Sequence, residues 1–176
     1  MAMPDTNDLL QRLLHACNPG TTLVPPADPS DLRFVGAEHT RRPHNLFSKK
    51  HKLWTTKHSD YYYAFHTCEL TFDSLAKCHI AAVDAGTARF DPAAKHSTTR
   101  ITAVILCDTA QADAQEALTH FKKRVGCFLS PKARLSYRLA AVDRSTGEVV
   151  CNRQARKLKS ALQAALARPV ERSGDL

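Results

Sequence analysis

Residues 52–68, KLWTTKHSDYYYAFHTC, set the form of the sheet. Residues 52–56 read as a short strand, Lys57-His58-Ser59-Asp60 as a turn, and residues 61–68 as a second strand, so the stretch predicts an antiparallel hairpin. The second strand is aromatic and alternating. Tyr61, Tyr63, Phe65 and Thr67 share one face, and Tyr62, Ala64, His66 and Cys68 the other.

After the hairpin, residues 73–85 predict a helix with Leu75, Cys78, Ala82 and Val83 inward. Asp73 or Ser74 caps its start, and Gly86 follows its end. Residues 99–107 are the clearest strand. Ile101, Ala103, Val104, Ile105 and Leu106 put apolar groups on both faces, which calls for a central position. Asp108 or Thr109 is expected to cap a helix over 110–125 with Ala114, Ala117, Leu118 and Phe121 inward. Residues 134–142 alternate Leu135, Tyr137, Leu139 and Ala141 against Arg134, Ser136 and Arg138, a half-buried strand with a basic outer face. A turn over 143–147, a returning strand over 148–151 and a helix over 153–167 complete the body.

Ahead of the hairpin, Leu9, Leu10, Leu13 and Leu14 mark a short amphipathic helix over 6–17. Residues 19–31 hold four of the nine prolines and read as a linker or an arm. The expected architecture is therefore α+β: a mostly antiparallel sheet of about five to six strands with helices largely on one face, plus an N-terminal helix and a proline-rich arm. Residues 1–31 form the leader, 32–168 a single domain, and 169–176 a frayed tail.

Composition narrows the class. The chain of 176 residues is 43% hydrophobic and 24% charged, which excludes wholesale disorder, and no run approaches a membrane span. Six cysteines without a C-x-x-C pair, several inside apolar runs, read as free thiols in a reducing cytoplasm. The net charge is +8 and uneven. Residues 1–40 hold Arg12 and Arg33 against Asp5, Asp8, Asp28, Asp31 and Glu38, a balance of −3, so residues 41–176 carry +11.

The chemical motifs are sparse. His44, His51 and His58 recur every seven residues, with His39 near, but no metal-ligand spacing accompanies them, so no metal and no cofactor are expected. Asp108, Asp143 and Glu69 each end a strand. With His96, Asp108 and Asp143 would be the catalytic set of a metal-dependent phosphoesterase or nuclease, against capping and turn roles for the same acids. Asp84-Ala85-Gly86-Thr87 has the letters of a phosphate loop but lacks its strand and hairpin context. His66-Thr67 and His96-Ser97-Thr98 only half match the paired H-x-[ST] motifs of two-histidine phosphoesterases, because position 68 is Cys68. Cys127 follows Arg124-Val125-Gly126 at a helix end that raises a thiol pKa, and reads as a buried strand cysteine.

The basic clusters carry the main functional expectation. The first is Arg41, Arg42, Lys49, Lys50, Lys52 and Lys57, with Phe47 and Trp54 between them. The second is Lys122, Lys123, Arg124, Lys132, Arg134 and Arg138; the third is Arg153, Arg156, Lys157 and Lys159. Phosphate contacts need cations, and exposed aromatic faces stack bases. The ordinary alternative is that net charge serves solubility. A shared face would turn these clusters into a site for nucleic acid or another polyanion.

Three stretches resemble an uncharacterised family of bacterial single-domain α+β proteins of unknown function. They are Phe47-Ser48-Lys49-Lys50-His51-Lys52-Leu53-Trp54, His96-Ser97-Thr98-Thr99, and the run from Arg134-Leu135 through Asp143 to Val149-Val150-Cys151-Asn152-Arg153. The likeness spans roughly residues 44–160 and departs at Asp60-Tyr61, Ser130-Pro131-Lys132 and Ala155-Arg156. It implies the architecture and no chemistry. Taken together, the sequence predicts a non-enzymatic cytoplasmic binding module with a basic face. The alternatives are the phosphoesterase and an interaction or regulatory subunit that docks through the N-terminal helix.

Overall fold

Residues 57–60 are strand, not turn. The computed structural model describes residues 5–21, 34–44, 54–89, 97–121 and 134–167, with backbone alone at 34–44, 54–57, 97 and 134. In it β2 runs unbroken over Trp54–Leu70. It pairs antiparallel with β1 (Phe34–His44), from Phe34↔Tyr63 to His44↔Trp54. On its other side it pairs parallel with β3 (Ser97–Ala110). The polar stretch is held by strand pairing on both sides, Thr40↔His58↔Thr98 and His39↔Ser59↔Thr99, and by Arg100 Nη1 lying 3.4 Å from Asp60 Oδ1. A two-residue hairpin turn wants positive φ and hence Gly or Asn. Lys57-His58-Ser59-Asp60 offers neither.

That continuity changes the sheet. β3 pairs parallel with β4 (Arg134–Asp143), and β5 (Val149–Cys151) pairs antiparallel with β4, giving, among the described residues, five strands in the order β1-β2-β3-β4-β5. The mostly antiparallel sheet expected from sequence is overturned: the sheet is mixed and its centre is parallel. The cause is the crossover. β2 is followed by α2 (Phe72–Ala88) and β3 by α3 (Ala112–His120), and each return carries the chain back to the end where the previous strand began.

Helices on one face is corrected too. α2 and α3 pack Leu75, Cys78, Ala82 and Leu118 against Tyr61, Tyr63, Phe65, Ile101, Ile105 and Tyr137. The opposite face buries Tyr62, Ala64, Val104, Leu106, Ala140 and Val142 under α1 (Thr6–Cys17), the 3-10 segment Arg153–Leu158 and α4 (Lys159–Ala167). The face of β4 that carries Ser136 and Arg138 is half-buried at those two residues and core at Ala140 and Val142. α1 gives this core Leu9, Leu10, Leu13 and Leu14, each at most 1% exposed and each worth about 2 kcal/mol of transfer free energy. Its apolar stripe is spent inside the molecule.

Local chemistry explains the boundaries. Thr71 caps α2 in a reciprocal box: Ser74 N donates to Thr71 Oγ1 at 3.2 Å and Thr71 N to Ser74 Oγ at 2.8 Å. Gly86 sits inside α2, so Asp84-Ala85-Gly86-Thr87 is helix and no phosphate loop. α3 begins after Gln111, while Asp108 lies within β3 and caps nothing. The β4–β5 turn places Gly147 at φ 72°, a conformation that favours glycine. Beyond β5, Asn152 is fully buried and saturated. Its Oδ1 accepts from Leu139 N (3.1 Å) and Ala155 N (3.0 Å), and its Nδ2 donates to Phe121 O (3.2 Å) and Tyr137 O (3.3 Å). One side chain thereby continues the β4 edge and starts the 3-10 segment.

Candidate functional site

Parallel pairing gives the sheet two chemically different ends. At the end where β2, β3 and β4 finish stand Glu69, Asp108 and Asp143. The structure brings these acids together, yet each is engaged. Glu69 Oε1 accepts from Gln111 Nε2 at 2.9 Å. Asp108 Oδ1 lies 3.1 Å from Arg144 Nη1 and 3.7 Å from His66 Nε2, and Arg144 Nη1 also reaches Thr6 Oγ1 at 3.4 Å. Asp143 is 4% exposed. Its Oδ1 accepts from Ser145 Oγ, Ser145 N and Thr146 N, and its Oδ2 from Ala110 N. Among the described residues no His, Cys, Asp or Glu group is arranged to hold a metal ion. His96 lies outside the described residues. Ser97, the first residue of β3, is eleven positions from Asp108, about 35 Å along a strand.

Asp143 therefore acts as the clamp of the β4–β5 turn. Burial works against its charged form, but the bonds from Ser145 Oγ, Thr146 N, Ser145 N and Ala110 N outweigh it and hold the carboxyl below its ordinary value. A carboxyl with a lowered folded-state pKa stabilises above the unfolded pKa, near 3.9, and that contribution is lost as pH falls through the folded value. In denaturant titrations, the advantage of the native chain over Asp143→Asn is expected to be full at pH 6. It should shrink progressively below about pH 4. A constant difference across that range would refute the clamp.

The other end is basic. Moving inward, the register rows are Arg42↔Thr56, Arg41↔Lys57↔Ser97, His58↔Thr98↔Arg134, Asp60↔Arg100↔Ser136 and Tyr62↔Thr102↔Arg138. Arg41, Arg42, Lys57, Arg100, Arg134 and Arg138 thus fall on four adjacent strands within about 20 Å along the strand direction. The acids on these rows are Glu38 and Asp60, which are register partners of each other. Burial, with Arg100 nearby, pushes the Arg138 guanidinium below its ordinary pKa. The 3-10 segment packs along β4 and exposes Arg153, Arg156 and Lys157. Lys49, Lys50, Lys52, Lys122, Lys123 and Arg124 lie outside the described residues, as does Cys127.

Sequence reasoning missed Arg100 and the Asp108–Arg144–His66 contact. Arg100 belongs to no run of bases, and only parallel pairing sets it between the first and second clusters. Of the described thiols, Cys78 and Cys107 are buried as expected, Cys17 and Cys151 are half-buried, and Cys68 is exposed. Burial raises Cys17, Cys78 and Cys107 to about 12 and Cys151 to about 11, so these are poor nucleophiles at neutral pH.

Residues 27–164 match the family described as Domain of unknown function (DUF8052). The chain belongs to this family. The matched region takes in all five strands, α2, α3 and most of α4, and begins after α1. No curated protein and no solved structure matches the chain. Among the described residues no helix is long and apolar enough to cross a membrane.

Proposed function

We propose that the protein is a non-enzymatic module that binds nucleic acid or another polyanion at the end of the sheet where β2, β3 and β4 begin. The observation that carries this reading is the register itself: bases from separate sequence clusters come to one end of four strands, Arg42, Arg100, Arg134 and Arg138 at register positions of one face and Arg41 and Lys57 at those of the other, with Glu38 and Asp60 the acids on these rows. Crowded cations repel one another, and a phosphate chain relieves that repulsion while releasing its counterions. The setting that fits is the cytoplasm, where the free thiols Cys17, Cys68, Cys78, Cys107 and Cys151 stay reduced.

Titrating the full chain into labelled DNA, labelled RNA and heparin at rising salt tests the proposal. Expected is binding at low salt with log K falling linearly against log salt. Each phosphate-contacting base neutralised should flatten the slope on duplex DNA by about 0.9. Arg134→Gln with Arg138→Gln is the variant to compare. No binding of any of the three polyanions at low salt overturns the reading.

A further inference from the structure

On the side of the sheet that packs α1, the apolar core gives way to a polar shelf. The row Ala64↔Val104↔Ala140 belongs to the core. The next two rows on this face, toward the strand starts, are Tyr62↔Thr102↔Arg138 and Asp60↔Arg100↔Ser136. Neighbouring strands lie about 4.8 Å apart and alternate residues about 6.6 Å, so Arg100 and Arg138 stand diagonally about 8 Å apart at Cα, with Thr102 beside both. Two groups on this shelf have nothing to bind. Thr102 is 1% exposed, yet its Oγ1 has no hydrogen-bond partner among the described residues. Arg138 is half-buried and makes no hydrogen bond or ion pair with any described residue. Arg100, by contrast, places one terminal nitrogen, Nη1, 3.4 Å from Asp60 Oδ1 and 3.5 Å from Asp60 Oδ2. Its side chain is 34% exposed, so the shelf reaches solvent on that side. Burial raises the Cys17 thiol and Arg138 partly offsets it, which sets the last turn of α1 near the guanidinium.

We infer that Arg138, Arg100 and Thr102 form a site for a single phosphoryl group, carried by a free phosphate ester or by the end of a nucleic acid. The inference goes beyond the polyanion reading, because it needs one phosphate in a fixed place and not a chain of them. A half-buried guanidinium without a counter-anion is costly, and so is a buried hydroxyl without a partner. One anion between β3 and β4 relieves both. Burial first and Arg100 second already disfavour the charged form of Arg138, and an anion offsets that penalty. Shape selects phosphate. Two guanidinium forks and a hydroxyl converge from three directions; a tetrahedral phosphoryl group offers three oxygens to meet them, and a planar carboxylate only two. Ser136, opposite Arg100, adds a second hydroxyl to the shelf. The charge balance agrees. Asp60 is engaged by Arg100, which leaves Arg138 as the surplus cation among the described side chains of these two rows. Glu38, the other acid on these rows, stands on β1, three strands or about 14 Å from Arg138, where salt screens it.

Calorimetric titration of the full chain with inorganic phosphate, at an ionic strength held constant with chloride, tests the site. Expected is saturable one-to-one binding of phosphate and none of acetate. Arg138→Gln should weaken phosphate about tenfold or more, and Thr102→Val, which keeps the side-chain volume, about threefold to tenfold. Without phosphate, Thr102→Val should hold or raise the urea midpoint, since it removes a buried hydroxyl that lacks a partner. A lowered midpoint would show that hydroxyl already bonded and would overturn its place in the site. The source of the phosphoryl group is read from a short single-stranded DNA with a 5′-phosphate against the same strand with a 5′-hydroxyl. Tighter binding of the phosphorylated strand, lost in Arg138→Gln, assigns a nucleic-acid end. Equal binding of both strands beside saturable phosphate binding assigns a free ester. No phosphate binding, acetate bound equally well, or either variant at native affinity overturns the site and leaves the polyanion reading to its own titration. Phosphate bound with no polyanion bound supports the site and overturns that reading alone.

Discussion

Asn152→Ala is expected to destabilise the fold by about 3–5 kcal/mol, read as a drop in the urea midpoint with little change in slope. The residue is completely buried and all four of its hydrogen-bonding positions are filled. Truncation leaves Leu139 N, Phe121 O and Tyr137 O without that partner, while Ala155 N keeps its bond to the backbone Asn152 O at 3.0 Å. A buried polar group stranded in this way costs about 1–3 kcal/mol, and partial relaxation keeps the total below the sum. Asn152→Asp separates hydrogen bonding from size. Its carboxylate can still accept from Leu139 N and Ala155 N, but it points negative oxygen at Phe121 O and Tyr137 O. The aspartate variant should therefore be at least as unstable as the alanine at pH 7 and recover partly in mild acid, where a protonated carboxyl regains one donor. Loss of less than about 1 kcal/mol in Asn152→Ala would show that the β4 edge does not depend on this side chain.

Gly86→Ala should destabilise by roughly 1–3 kcal/mol, although alanine is the better helix former by about 1 kcal/mol. A Cβ at position 86 would stand 2.2 Å from Ile101 Cδ1 and 2.5 Å from Ile101 Cγ1. Ile101 is fully buried on the central strand, so neither atom can retreat without disturbing the core. The clash is pairwise and so must appear as coupling. In an Ile101→Ala background, which removes both offending atoms, Gly86→Ala should cost little or even stabilise. The cycle should give an interaction energy of at least about 1 kcal/mol. Additive effects would place the role of Gly86 elsewhere.

Most local elements were legible because their signals are short in range. The leucines of α1, the doubly apolar run of β3 and the Asp143–Gly147 turn depend on spacing and turn chemistry alone. What failed was one reading with a global consequence. Lys57-His58-Ser59-Asp60 is polar, and on sequence alone that polarity reads as a turn. In the structure its residues are held by neighbouring strands and by Arg100, partners up to forty positions away. Splitting β2 hid the β2–α2–β3–α3–β4 alternation that announces parallel strands. The missing Gly or Asn within the supposed turn was the signal available.

For the candidate site, the sequence by itself determined the supply: an excess of eight positive charges, gathered into acid-free runs, with acids closing several strands. Chain direction was left open, and direction decides where charges go. An antiparallel sheet would have scattered the starts and finishes of β2, β3 and β4 over both ends. Two crossovers make these strands parallel, so their first residues meet at one end and their last at the other. Arg41, Lys57, Arg100 and Arg134 thereby came to one end, and Asp108 and Asp143 collected at the opposite end, each already bonded within the fold. Composition is local and additive along the chain. The segregation of charge is a property of strand polarity, which only tertiary pairing fixes.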